Sequence, residues 1–97
     1  MSQKVITLHL TDCKYLGELH QRIKKAFDFP DFYGENWDAF WDLLWSECDA
    51  DKVVVLGEQT LPKEFDWHIR KLHEALQDNK DEHRLYGWKM FEFEIIS

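Results

Sequence analysis

The chain has 97 residues and a net charge of −7, with 44% hydrophobic and 32% charged residues. That is room for one domain with a modest core, read here as a single unit over 1–97, and the balance excludes a disordered or collagen-like chain. No apolar run approaches the roughly 18 residues a membrane span needs. The N-terminus lacks a signal-peptide pattern, and two cysteines cannot make a disulfide framework, so a soluble cytoplasmic protein is expected.

In chain order, Lys4 to Leu10 reads as a strand, rich in β-branched and apolar residues. Thr11 or Asp12 is the expected cap of a helix from about Tyr15 to Phe27, with Leu16, Leu19, Ile23 and Phe27 on one buried stripe. Asp28 to Glu35 is a loop marked by Pro30 and Gly34. A second helix from about Asn36 to Cys48 takes Asn36 as its cap. Lys52 to Leu56 is a continuous apolar run, as in a strand covered on both faces. Gly57 to Pro62 is a turn-rich connection, and Pro62 suits the first turn of another helix, which reaches about Asn79. Phe65, Ile69, Leu72 and Leu76 face inward there. Lys80 to Arg84 reads as polar and mobile, and Lys89 to Ile96 is the last strand. Strands separated by helix-length crossovers predict an α/β fold with a three-stranded parallel sheet and three to four helices.

The charge is concentrated. Between Asp28 and Asp51 stand eight acids and no Lys or Arg, together with seven of the 15 aromatics, and the other 73 residues sum to +1. Such a field repels phosphate backbones and attracts cationic surfaces, so a basic protein is the expected partner rather than nucleic acid or membrane. On the second helix, with Asp38 at 0°, Asp42 falls at about 40°, Asp49 at about 20° and Glu35 near 60°. Phe40, Leu44, Trp37, Cys48 and Trp41 form the opposite, core-facing arc. Trp45 projects among the carboxylates, an arrangement suited to an interface anchor. Cys48 reads as a buried inert thiol and Cys13 as a partly exposed, mildly reactive one.

Enzyme chemistry finds little support. Two carboxylates side by side on one exposed helix lack the groove of a glycosidase, and Ser46 has no nearby histidine in sequence. His68 and His73 lie about 140° apart round a helix, too far to share a metal. None of the five histidines reads as a strong functional candidate. No catalytic residue, cofactor or metal is expected.

The string Pro30-Asp-Phe-Tyr-Gly-Glu-Asn-Trp-Asp-Ala-Phe-Trp-Asp42, preceded by Leu19-His20-Gln21 and Lys24-Lys25, resembles the barstar family of intracellular inhibitors of barnase-type ribonucleases. The likeness is firm from about Glu18 to Trp45. It implies a barstar-like fold and a non-enzymatic inhibitor, monomeric when free. The second helix and its preceding loop would plug the cleft of a basic secreted ribonuclease in a one-to-one complex. By position, Asp42 would be the central phosphate mimic and Asp38 its neighbour. Asn36, Trp37 and Trp41 would line the contact, Phe32 would face the catalytic end of the cleft, and Glu74 would be an outlying acidic contact. Tyr33 belongs to the same motif, Glu35 and Asp49 to the acidic stripe, and Trp45 to the same face. The stretch before Glu74 is shorter than the family pattern, implying a third helix reduced to a turn, and the stretch from Leu76 to Lys89 is longer. Two other partners remain open on the same surface. One is a nuclease toxin of another fold, for which the chain would be an immunity protein. The other is a nucleic-acid-binding protein regulated by an acidic adaptor.

Overall fold

The structure, a computed structural model, describes residues 4–31, 33–46, 50–87 and 91–96. Three strands, β1 (Val5–His9), β2 (Lys52–Leu56) and β3 (Glu92–Ile96), alternate with helices α1 (Leu16–Phe27), α2 (Trp37–Ser46) and α3 (Asp66–Leu85). The sheet order is β1-β2-β3 and both pairings are parallel. Ile6 aligns with Val53 and Phe93, and Leu8 with Val55 and Ile95, which puts one apolar row from every strand on the same face.

That face is the core. Leu8, Val53 and Val55 are fully buried under Leu19 and Ile23 of α1, Phe40 and Leu44 of α2, and Leu72 and Leu76 of α3. Coverage of β2 on both faces is not what forms. Lys52, Val54 and Leu56 are only half-buried, and Val5, Thr7 and His9 beside them are exposed. A sheet whose order follows the chain sends successive same-handed crossovers to the same side, so the helices stack on one face.

The first helix starts differently from expectation. Its N-cap is Tyr15, with no side-chain cap. Asp12, at φ 57°, sits instead in a turn where its N–H donates to Thr60 Oγ1 at 3.0 Å. Cys13 in that turn is 2% exposed, and burial pushes its thiol above the usual range against a lowering pull from Arg22. The expected reactive thiol is therefore a buried one. The helix ends at Asp28, in the left-handed conformation at φ 55°, whose N–H closes the last turn onto Lys24 and Lys25 carbonyls. Cys48 lies outside the described residues.

Between β2 and α3 the chain makes two single-turn 3₁₀ segments, Glu58–Thr60 and Lys63–Phe65, where a longer stretch could have held another helix. The third helix does not stop near Asn79. It runs to Leu85 because its last turns have partners that are remote in sequence. Lys80 Nζ pairs with Glu92 at 3.1 Å and lies over the Phe93 ring, and His83 packs on Phe91. The expected start of the last strand at Lys89 falls outside the described residues.

Candidate functional site

The second helix forms where its cap and its apolar period agree. Asn36 Oδ1 accepts the Ala39 N–H at 2.8 Å, satisfying a donor that the helix start leaves without a partner. Phe40 and Leu44 are fully buried and Leu43 nearly so, which fixes the rotation of the helix. With that face inward, Asp38 and Asp42 must point away from the core, and both are exposed. Among the described residues neither makes an ion pair.

Beside this ridge, α2 and α3 enclose an open groove of about 570 Å³. Its acids are Glu35 and Asp38 from the loop and α2, and Glu74 and Asp78 from α3. The apolar part of the wall comes from Trp37, Trp41 and Trp67, with Leu16 and Ala75. Lys71 is the lining lysine; it approaches Glu74 at 3.5 Å and lies over the Trp67 ring at 5.3 Å. Four carboxylates against one ammonium, with three indoles between them, suit a cationic and partly planar visitor.

A chain of ring contacts links the groove to the buried residues behind it. Tyr33 OH and His20 Nδ1 share a hydrogen bond of 2.7 Å, and the His20 ring lies 4.7 Å from Trp37. Trp37 Nε1 donates to His68 Nδ1 at 3.1 Å, and His68 meets the edge of Trp67 at 4.9 Å. His20 is 2% exposed. Burial lowers its proton affinity, the Glu35 carboxylate partly opposes this, and the nearby His68 adds to it. Burial also raises the Tyr33 hydroxyl far above its usual range, with Glu35 adding to the effect. Both rings are therefore neutral supports near pH 7.

The structure gathers most of the sequence-derived residues at this place and separates others. Glu35, Asn36, Trp37, Asp38, Trp41 and Glu74 all line the groove, and Asp42 stands on the adjoining ridge. Tyr33 is only 5% exposed, so it supports the loop from beneath instead of presenting itself. Trp45 is 43% exposed and does not stand loose among carboxylates. Its ring stacks on Trp41 at 6.5 Å, and its Nε1 donates to Glu82 of α3 at 2.8 Å. Phe32 and Asp49 lie outside the described residues. Sequence reasoning missed His20, Trp67, His68, Asp78 and Glu82. Asp78 had a signal, four residues after Glu74 on the same helix face. The Trp37–His68 bond spans 31 positions and had none.

Among the described residues no three His, Cys, Asp or Glu side chains gather as a metal site, and no helix is long and apolar enough to cross a membrane. Residues 3–93 match the protein family described as Barstar (barnase inhibitor). A protein of Bacillus subtilis (strain 168) named "Putative ribonuclease inhibitor YrdF" is 33% identical over 79 residues, spanning 76% of this chain and 87% of the relative.

Proposed function

Because this chain belongs to the barstar family, we propose that it inhibits a basic ribonuclease, laying α2 and the preceding loop over the active-site cleft. In this reading Asp42 and Asp38 stand where substrate phosphates would bind, and Trp37 and Trp41 pack against the cleft wall. The carrying observation is the pair Asp38 and Asp42, exposed one turn apart with no ion pair among the described residues. Like charges at i and i+4 work against the helix, so Asp42, beyond the first turn, gives the helix nothing in return for its repulsion with Asp38. Guanidinium or ammonium groups arriving from a partner would neutralise both by charge-assisted hydrogen bonds.

Glu35, Glu74 and Asp78 continue the negative field along the groove, which favours fast, salt-sensitive association with a cationic protein. Trp45, held by Glu82, extends the aromatic surface to the end of α2. The arrangement supports binding and occlusion.

The test is inhibition of RNA cleavage by a barnase-type ribonuclease titrated with the purified protein. One-to-one inhibition is expected. Asp42→Ala should weaken it strongly, whereas Glu64→Ala and Asp81→Ala, exposed and away from the groove, should not. Equal inhibition by all three variants would mean that the ridge is not the binding surface.

A further inference from the structure

We propose that His68, on α3 and off the acidic ridge, is a positioning residue for the partner-binding face: its unprotonated Nδ1 sets the Trp37 ring, and a proton taken up there releases the ring and weakens binding. The proposal deepens the inhibitor reading and rests on it for its binding half. Trp37 is the first residue of α2, between the cap Asn36 and the ridge residue Asp38. Its indole N–H donates to His68 Nδ1 at 3.1 Å, and among the described residues it has no other acceptor. An indole nitrogen can only donate, so Nδ1 must carry a lone pair and the proton of the neutral imidazole must sit on Nε2. Protonation of Nδ1 therefore sets two donors face to face, and one of them must move.

The charged groups that share the groove with His68 give the proton a second effect of the same sign. Glu35 and Asp38 from the loop and α2 and His20 from α1 line it from the other elements, and Lys71, Glu74 and Asp78 follow His68 on α3 itself. Carboxylates dominate this set, so an imidazolium here acts as an internal counter-charge in the place meant for the partner's cation. Lys71 is already turned toward Glu74 and Trp67, leaving the acids on the α2 side to meet the new charge. Burial lowers the proton affinity of His20 beneath Trp37, so that ring takes up a proton less readily than a free imidazole, and any effect it has is common to the parent and His68→Asn. Loss of the Trp37 acceptor and competition for the carboxylates both lower affinity as pH falls.

The experiment compares the full chain with His68→Asn, which offers a carbonyl acceptor close to the Nδ1 position but does not titrate, and with His68→Ala. In the free protein, the indole N–H resonance of Trp37, assigned with Trp37→Phe, is followed by NMR from pH 8 to pH 5. Histidine ordinarily changes charge in this window. The resonance should move with pH in the parent chain by more than it does in His68→Asn. Affinity for a barnase-type ribonuclease is measured over the same range, and the ratio of parent to variant removes the enzyme's own titrations. The parent should lose about tenfold more affinity than His68→Asn between pH 8 and pH 5, the scale of one charge-linked hydrogen bond. His68→Ala should bind more weakly than His68→Asn already at pH 8. An indole signal that ignores pH in the parent, or equal affinity profiles for parent and His68→Asn, overturns the proposal while leaving the inhibitor reading intact. No binding by the parent at pH 8 refutes the inhibitor reading, and the binding half of this one with it.

Discussion

Replacing Asp42 by Asn should make the free protein slightly more stable while making it a poorer inhibitor. The two side chains have nearly the same shape and similar helix propensity, so the change isolates the charge. Asp42 lies one turn beyond Asp38, past the first turn of α2, with no ion pair among the described residues. Removing it relieves one i,i+4 repulsion of about 0.2–0.5 kcal/mol. For a domain of this size the midpoint of thermal unfolding should rise by about 1–4 °C. Asp38 differs, since it stands in the first turn, where the helix dipole favours a negative charge by about 0.3–1 kcal/mol. Asp38→Asn should therefore gain and lose similar amounts and leave the midpoint nearly unchanged. Thermal unfolding followed by circular dichroism, at low salt and at about 1 M salt where the Debye length is about 3 Å, separates these terms. High salt should shrink the gain from Asp42→Asn. In the inhibition assay the same variant should lose about 1.5–3 kcal/mol, the worth of a hydrogen bond to a charged group, or about ten- to hundredfold in affinity. If Asp42→Asn instead destabilises the fold by more than about 0.5 kcal/mol, independent of salt, its carboxylate serves the chain itself and the ridge is not reserved for a partner.

Three further outcomes follow from the same geometry. Asn36→Ala removes the side-chain acceptor of the Ala39 N–H and should lower stability by about 1 kcal/mol in chemical denaturation. It should also weaken inhibition, because the frayed turn carries Trp37 and Asp38. Gly57→Ala should cost about 2–4 kcal/mol. Gly57 holds φ +78°, and an added Cβ would stand 2.8 Å from the Thr11 amide nitrogen, so backbone strain and overpacking add. An unchanged urea midpoint would show that the Thr11 turn can retreat. His20, whose proton affinity is lowered in the fold, binds a proton more readily in the unfolded chain than in the native one. Stability is therefore full above the ordinary histidine value of 6.5 and falls as pH drops below it, by at most about 1.4 kcal/mol per pH unit, until the folded form is also protonated. Urea midpoints measured from pH 7.5 to 5 should show this decline, and His20→Gln should flatten it. Equal slopes would place the acid sensitivity elsewhere.

Local pattern made several elements legible. The run Lys52–Leu56 is a strand with the bounds its composition suggested, and Asn36 caps α2 as its position before an apolar period required. The acidic ridge could be drawn because helical spacing alone decides which residues share a face. The last turns of α3 could not. Lys80 to Arg84 look like a solvated tract until Glu92, Phe93, Phe91 and Trp45 arrive from other elements to hold them. The open second face of the sheet was equally hidden, since three consecutive valines carry no mark of how many layers will cover them.

By itself, then, the order of residues determined the strands, the rotation of α2, its cap, and a cluster of acids and indoles with nothing basic among them. These are properties of neighbours a few positions apart, governed by dihedral preference and periodicity. Only the packed chain decided that α3 would run alongside α2, that Glu74 and Asp78 would face Asp38 across a groove, and that His68 would hold Trp37 from 31 residues away. Such contacts arise from burying three helices on one side of a sheet, a global condition that no short window of sequence contains.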